Sequence, residues 1–402
     1  MARSAKFQIA NLYSLERAWK DINQRVHGQK RKTVGIDGVS VEQYTANVQE
    51  RLKSLSRDIK ASEPYVFSSL RAVQIPKPNG KLRVICIPTV RDRIVQRALL
   101  NYLSEGDKCK LNNNISYGFA RATGNTLQRA IMKAKTLRKE HPWVYKTDIS
   151  SFFDRIDRAD LFEQIKTRVR AKSIHDTLLS CINCEIFEPD NARHRSITRQ
   201  GIKKGKGVRQ GMPLSPFFAN LVLRRFDNAI QSKGFFAIRY ADDLIFFADN
   251  EAQCVEIHDF CKNGLRSIGH TIPDPGTEKT QIYNPSATAE YLGMGLVFVG
   301  TGYSLEITKA QIDKIRESFL KNSDVPSLLH QNITVSRLTS RLNNAVSGYL
   351  EAYAHASNID QLSTLLPKWK NHVIRKIFST QLGIKDVSTL SATTLKFFEL
   401  QT

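Results

Sequence analysis

The sequence predicts an α+β fold, and three stretches carry that prediction. Residues 235–249 place two apolar, aromatic-rich runs around Asp242-Asp243, the pattern of a buried β-hairpin with carboxylates at its tip. Residues 73–88 alternate apolar and polar on both sides of Pro78-Asn79-Gly80, a second hairpin. From about residue 305 the pattern is mostly helical: Thr308-Lys309-Ala310-Gln311 has the form of a capping box, and Leu338, Leu342, Val346, Tyr349 and Tyr353 mark one apolar face. Three regions are therefore expected: an N-terminal extension over 1–62, a strand-bearing region over 63–304, and a helical region over 305–402.

Charge narrows the partner. The 402-residue chain carries 60 basic against 38 acidic residues, a net charge of +22, which points to a polyanion and first to nucleic acid. The cations are spread along the chain, unlike the single amphipathic segment of a membrane-surface binder. No run approaches the roughly 18 apolar residues of a membrane span, so no membrane partner is expected. Met1-Ala2-Arg3-Ser4-Ala5-Lys6 lacks a secretory apolar core, and a cytoplasmic location is expected. Among the six cysteines, Cys181 and Cys184 form the one C-x-x-C. With no second pair and an apolar setting, they read as small core residues rather than a zinc site.

Taken in order, the N-terminal region alternates helical patterns with one loop, Thr33 to Ser40, behind the basic run Lys30-Arg31-Lys32. It is either a linker or a backbone clamp. The 73–88 hairpin brings Lys77, Lys81 and Arg83 near its tip, which suits either a solvated edge or the oxygens of a triphosphate. Residues 144–154 begin as a strand and turn helical near Ser150. That leaves Asp148 at the strand end, as a helix cap or as a functional carboxylate.

Residues 201–216 form a glycine-rich basic loop with Lys203, Lys204, Lys206 and Arg209. Gln210-Gly211 lets backbone approach a ligand, and an apolar helix follows over Phe217–Phe226. The loop lacks the Gly-Lys-Ser/Thr ending of a phosphate loop. Asp242-Asp243 alone is ordinary turn chemistry. Two adjacent strand-end carboxylates are also what a divalent cation relieves.

Assembled in order, these pieces resemble a reverse transcriptase of the bacterial group II intron-like branch. The blocks are Gly35-Ile36-Asp37-Gly38, Pro76 to Arg83, Tyr117-Gly118-Phe119, Asp148 to Asp154, Gln210-Gly211-Met212-Pro213-Leu214-Ser215-Pro216, Tyr240-Ala241-Asp242-Asp243 and Tyr291-Leu292-Gly293. The resemblance implies a right-hand polymerase: fingers mainly over 63–143, a palm with a split βαβ sheet mainly over 144–304, and a helical thumb or maturase-like region after it. It implies two Mg²⁺ ions, with Mn²⁺ as an alternative, held by Asp148 and Asp242 with Asp243 in support and the Ile149 carbonyl completing the site.

By the same resemblance Lys77, Lys81 and Arg83 contact the incoming triphosphate, Phe153 is the steric gate that selects dNTPs, and Gln210 packs near the templating pair. Lys279 assists departure of pyrophosphate, and Tyr291 to Met294 form the primer grip. Gly348 to Ala356, with Trp369-Lys370 and Arg375-Lys376, is similar to the thumb of group II intron proteins, with Gly-Tyr where Gly-Trp is usual. No Cys/His-rich endonuclease pattern follows. The resemblance therefore implies a free-standing enzyme like the defence-associated reverse transcriptases of bacteria, copying a structured partner RNA from a DNA or RNA primer with dNTPs. The alternative is an intron maturase that acts mainly by binding RNA.

Overall fold

The computed structural model describes residues 4–76, 80, 82–118, 124–187, 195–197, 200–331, 333–381, 383, 391 and 393. Helices and strands are mixed, as expected. Contacts divide the chain into two compact units, Met1–Ala130 with Trp143–Ile282, and Ile131–Pro142 with Tyr283–Thr402. The division between the two units falls at 282/283. The N-terminal residues also belong to the first unit: Leu15, Trp19, Leu52 and Leu55 lie in its hydrophobic core, and Ser56 Oγ donates to the Ala10 carbonyl.

Strand β1 (Arg71–Pro76) pairs antiparallel with β2 (Leu82–Ile87) in the expected hairpin. The 33–40 loop is tied to its base. Val34 bridges Ser40, the Val34 carbonyl accepts from Arg71 Nε, and a Cβ on Gly35 would lie 2.7 Å from Thr89 Cα. The loop is a packed clamp on the hairpin rather than a linker.

The central sheet joins β3 (Trp143–Asp148), β4 (Phe236–Tyr240), β5 (Asp243–Ala248) and β6 (Gln281–Tyr283) in the order β4-β5-β3-β6. Strand β5 lies between two partners, and Leu244 to Ala248 are all buried, which explains its continuous apolar run. One face is covered by the helix Glu251–Arg266, capped by the Asn250 side chain and burying Cys254, Ile257, His258, Cys261 and Leu265 at helical spacing. The helix after the glycine-rich loop runs over Ser215–Ser232, longer than the 217–226 expected, with proline in its first turn.

In the second unit β7 (Ala289–Tyr291), β8 (Met294–Val299) and β9 (Gly302–Glu306) form a three-stranded antiparallel sheet. Leu292 and Gly293 both have positive φ, the tight turn of a two-residue hairpin. Arg138 donates to the carbonyls of Leu296, Asn284 and Ala287, which ties residues 131–142 to this sheet, and Ser357 donates to the Leu305 carbonyl, which ties the sheet to the C-terminal helices. Thr308 caps its helix through Gln311 N, whereas the Gln311 side chain turns to Tyr353. The apolar face read on the helix Val335–Ala352 is buried at Leu338 and Leu342.

All six cysteines are free and buried, in keeping with the core reading of Cys181 and Cys184. No helix among the described residues is long and apolar enough to cross a membrane.

Phe246, fully buried in β5 beside Tyr145, anchors the sheet. Phe246→Ala is expected to cost about 3–5 kcal/mol of stability, read as a lowered urea midpoint in fluorescence unfolding.

Candidate active site

The β4–β5 turn falls one residue earlier than the sequence suggests. Tyr240 pairs with Asp243, so the turn residues are Ala241 and Asp242, and Asp243 already belongs to β5. Ala241 has φ +59°, at a turn position that ordinarily takes glycine. A side chain held there requires surroundings that over-determine it.

Arg239 supplies them. Its guanidinium is fully buried and gives every N–H to a partner. Nε and Nη2 fork onto the Asp227 carboxylate at 2.7 and 2.6 Å, Nη1 meets Asn220 Oδ1 at 3.1 Å and the Ala241 carbonyl at 3.0 Å, and Nη2 also meets Ser116 Oγ at 2.9 Å. Asn220 Nδ2 in turn donates to the Gly118 carbonyl. A Cβ on Gly118 would lie 2.4 Å from Ala241 N, so only glycine lets this strand close over the turn. These residues were not assigned a role from sequence. The available signal was an arginine inside the apolar run Phe235–Tyr240, since a buried charge needs a buried partner.

The turn delivers Asp242 beside Asp148. Strands β3 and β5 pair with Asp148 opposite Asp243, and Ile149 N–H donates to the Asp242 carbonyl at 3.2 Å. Three carboxylates thus share the ends of adjoining strands. Burial, with Asp148 adding like charge, raises the Asp242 pKa, and Arg83 and Lys279 oppose the rise. Burial and the charges of Asp242 and Asp148 likewise raise Asp243, against Lys146 and Lys279.

Lys279 donates to Asp148 Oδ2, and its loop is anchored to β3 by the Thr147–Thr280 hydroxyl pair at 2.7 Å. Asp148 Oδ1 is buried and without a hydrogen-bond partner. Among the described residues no three His, Cys, Asp or Glu side chains already form a metal cage. The donor set nevertheless fits a divalent cation: hard oxygen ligands, excess negative charge, and one carboxylate oxygen with nothing bound to it.

The other expected residues are placed as follows. Arg83 is exposed on β2 and lies within electrostatic reach of Asp242. Lys77 and Lys81 lie outside the described residues. Phe153 is half-buried, edge-on to Phe152 at 5.5 Å. The Gln210 carbonyl accepts from Cys86 N at 2.7 Å, and a Cβ on Gly211 would lie 2.4 Å from the Cys86 carbonyl, so this segment runs against β2. Tyr291 to Met294 form the β7–β8 turn in the second unit.

The sheet bears acids on a tight turn and on the adjoining strand, and comparison with known proteins gives the class. The family model described as "Reverse transcriptase (RNA-dependent DNA polymerase)" matches residues 75–296, more than half of the chain. The chain belongs to the reverse transcriptase family, with the right-hand polymerase fold that this implies. Its relatives include Protein YkfC of Escherichia coli, 30% identical over 50% of this chain and 51% of that one. Group II intron-encoded protein LtrA of Lactococcus lactis is 26% identical over 45% and 28%. Retron Ec73 reverse transcriptase of Escherichia coli is 25% identical over 71% and 82%.

The chain spans about half the length of YkfC and 21% of a Saccharomyces cerevisiae COX1/OXI3 intron 2 protein. The apo telomerase of Candida tropicalis aligns at TM-score 0.43 and 13% identity over 90% of this chain and 73% of that one.

Removing one half of the buried fork should be worse than replacing both. Arg239→Ala is expected to lose about 3–5 kcal/mol, and Arg239→Met with Asp227→Leu to recover much of it. Thermal unfolding of the two variants checks the order.

Proposed function

We propose that the protein is an RNA-directed DNA polymerase that extends a DNA or RNA primer with dNTPs on a structured RNA template. The observation that carries the reading is the strand register that sets Asp148 opposite Asp243 with Asp242 on the adjoining turn, leaving a buried carboxylate oxygen unsatisfied. Asp148 and Asp242 hold two Mg²⁺ ions, or Mn²⁺, with Asp243 in support and the Ile149 carbonyl as a further ligand. Bound there, the ions supply Lewis acidity for attack by the primer 3′-hydroxyl and neutralise the triphosphate.

This chain's residues do the rest. Lys77, Lys81 and Arg83 grip the triphosphate oxygens, and Arg83 already biases the charge at Asp242. Lys279, with a side chain 55% exposed, exchanges Asp148 for the charge that develops on pyrophosphate. Phe153 closes off the 2′ position of the incoming sugar, Gln210 packs near the templating pair, and Tyr291 to Met294 grip the primer.

We place the enzyme in a reducing cytoplasm, where its free thiols persist, and in bacterial antiphage defence, copying a partner non-coding RNA. The match to a retron reverse transcriptase over 71% of the chain supports a cDNA-making role of this kind. The match to intron-encoded proteins favours a second reading, an intron maturase that acts mainly by binding RNA.

Asp242→Asn should keep the fold and lower dNTP incorporation by about a thousandfold, measured by primer extension. The same variant separates the biological readings. Loss of phage protection in plaque assays fits the polymerase role, whereas retained splicing of a host intron fits the maturase role.

A net charge of +22 predicts RNA affinity dominated by counterion release. Six or more phosphate contacts give a loss of about 10³ or more between 50 and 200 mM salt, measured by filter binding. A flat profile contradicts the charge argument.

A further inference from the structure

A steric gate is only as selective as the backbone behind it is stiff. A ring that can recede admits the extra oxygen of a ribonucleotide at little cost. The backing of Phe153 is therefore a specificity question, and it lies in residues that do not touch the catalytic acids.

The Phe153 carbonyl accepts from Val208 N at 2.8 Å, and Gly207 N donates to the Ile156 carbonyl at 2.9 Å. Gly207 has φ +75°, and a Cβ there would lie 2.7 Å from the carbonyl oxygens of Phe153 and Asp154. The glycine-rich loop thus presses its backbone directly on the gate segment, at a position where only glycine fits.

A partly buried ion knot holds that loop in place. Glu185 Oε1 accepts from Arg158 Nη1 and from Gly205 N, both at 2.7 Å, and Oε2 accepts from Arg209 Nη2 at 2.6 Å. Arg158 Nε also takes the Gly207 carbonyl at 2.8 Å. Arg209, 2% exposed, donates to the carbonyls of Lys203 and Lys206, and the Arg209 carbonyl accepts from Ser215 Oγ at 2.7 Å. Burial opposes ionisation of Glu185, but Arg209, the Gly205 amide and Arg158 outweigh it and hold the carboxyl below its usual range. A lone carboxylate therefore gathers two guanidiniums and a loop amide at the back of the gate.

We propose that Glu185, through Arg158 and Arg209, is the positioning residue that sets sugar discrimination by stiffening the Gly207–Val208 backing of Phe153. The proposal rests on the gate reading of Phe153 given above. Losing Glu185 leaves Arg158 and Arg209 without their shared anion and frees the loop to yield. A displacement of about 1 Å at the reacting geometry is enough to change rates by about 10²-fold, so the ring need not leave its place for discrimination to fall.

The test measures kcat/KM for a dNTP and for the matching rNTP in primer extension by the full chain. Glu185→Ala is expected to lower the dNTP-to-rNTP ratio about tenfold, chiefly by raising rNTP use, while dNTP incorporation falls by less. Phe153→Ala is expected to remove most of the discrimination. In that background Glu185→Ala should have no further effect on the ratio, because the two changes act on one barrier.

If both reactions slow together in Glu185→Ala and the ratio holds, the knot is merely structural and the proposal is overturned. If Phe153→Ala itself leaves the ratio unchanged, the gate reading fails and the proposal falls with it. Should Glu185→Ala not fold, Glu185→Gln, which keeps an acceptor but not the charge, and Arg158→Lys, which keeps the charge but not the fork, are read by the same ratio.

Discussion

The buried fork between Arg239 and Asp227 is the interaction on which the active site depends. An alanine at φ +59° on a two-residue turn is unfavourable in isolation, yet this turn is what lets Asp242 face Asp148. The guanidinium meets the cost by bonding the turn carbonyl directly while Asp227, Asn220 and Ser116 satisfy its remaining donors. Such a group is poorly suited to adding stability, because both charges lose their hydration. Its use is to fix one backbone geometry, and Gly118 packed on Ala241 N closes off the alternatives.

A second constraint is charge. Asp148, Asp242 and Asp243 converge at strand ends, burial disfavours ionisation of Asp242 and Asp243, and the cations nearby answer only part of it. Lys279 takes one oxygen of Asp148, Arg83 and Lys146 act at a distance, and the other Asp148 oxygen has no partner. An unsatisfied buried carboxylate is costly and marks a site built for something that arrives.

Much of this was legible in sequence, and the reason is periodicity. Both hairpins and the β3 strand announce themselves by alternating or continuous apolar runs ended by turn residues, which sets Asp148 at a strand end and Asp242 at a hairpin tip; that the two belong to one site is implied only by the resemblance to reverse transcriptases. Finer register was not legible. Apolar pattern alone does not say whether Asp242 or Asp243 ends the turn, because that depends on Ala241 accepting a conformation its side chain resists. The place of the β7–β9 sheet was not legible either: it looks local, and the carbonyls bound by Arg138 and Ser357 set it in the second unit. The 33–40 loop, open between linker and clamp, was decided by Gly35 lying against Thr89.

What sequence hid most completely is the polar scaffolding. Glu185 follows the apolar helix His175–Ile182 directly after Cys184 of the C-x-x-C, where nothing in the pattern gives it a role, and Arg209 looks like one more cation in a basic loop. Folded, they face each other with Arg158 between Glu185 and the Gly207 carbonyl. The same logic governs Arg239 and Asp227: in both knots a carboxylate distant in sequence neutralises an arginine next to a functional backbone segment. In each the arginine bonds a carbonyl of that segment, and a glycine, Gly118 or Gly207, lets main chain approach main chain. Each ion pair is therefore bonded to the main chain of one segment, the turn at Ala241 in one case and the glycine-rich loop at Gly207 in the other.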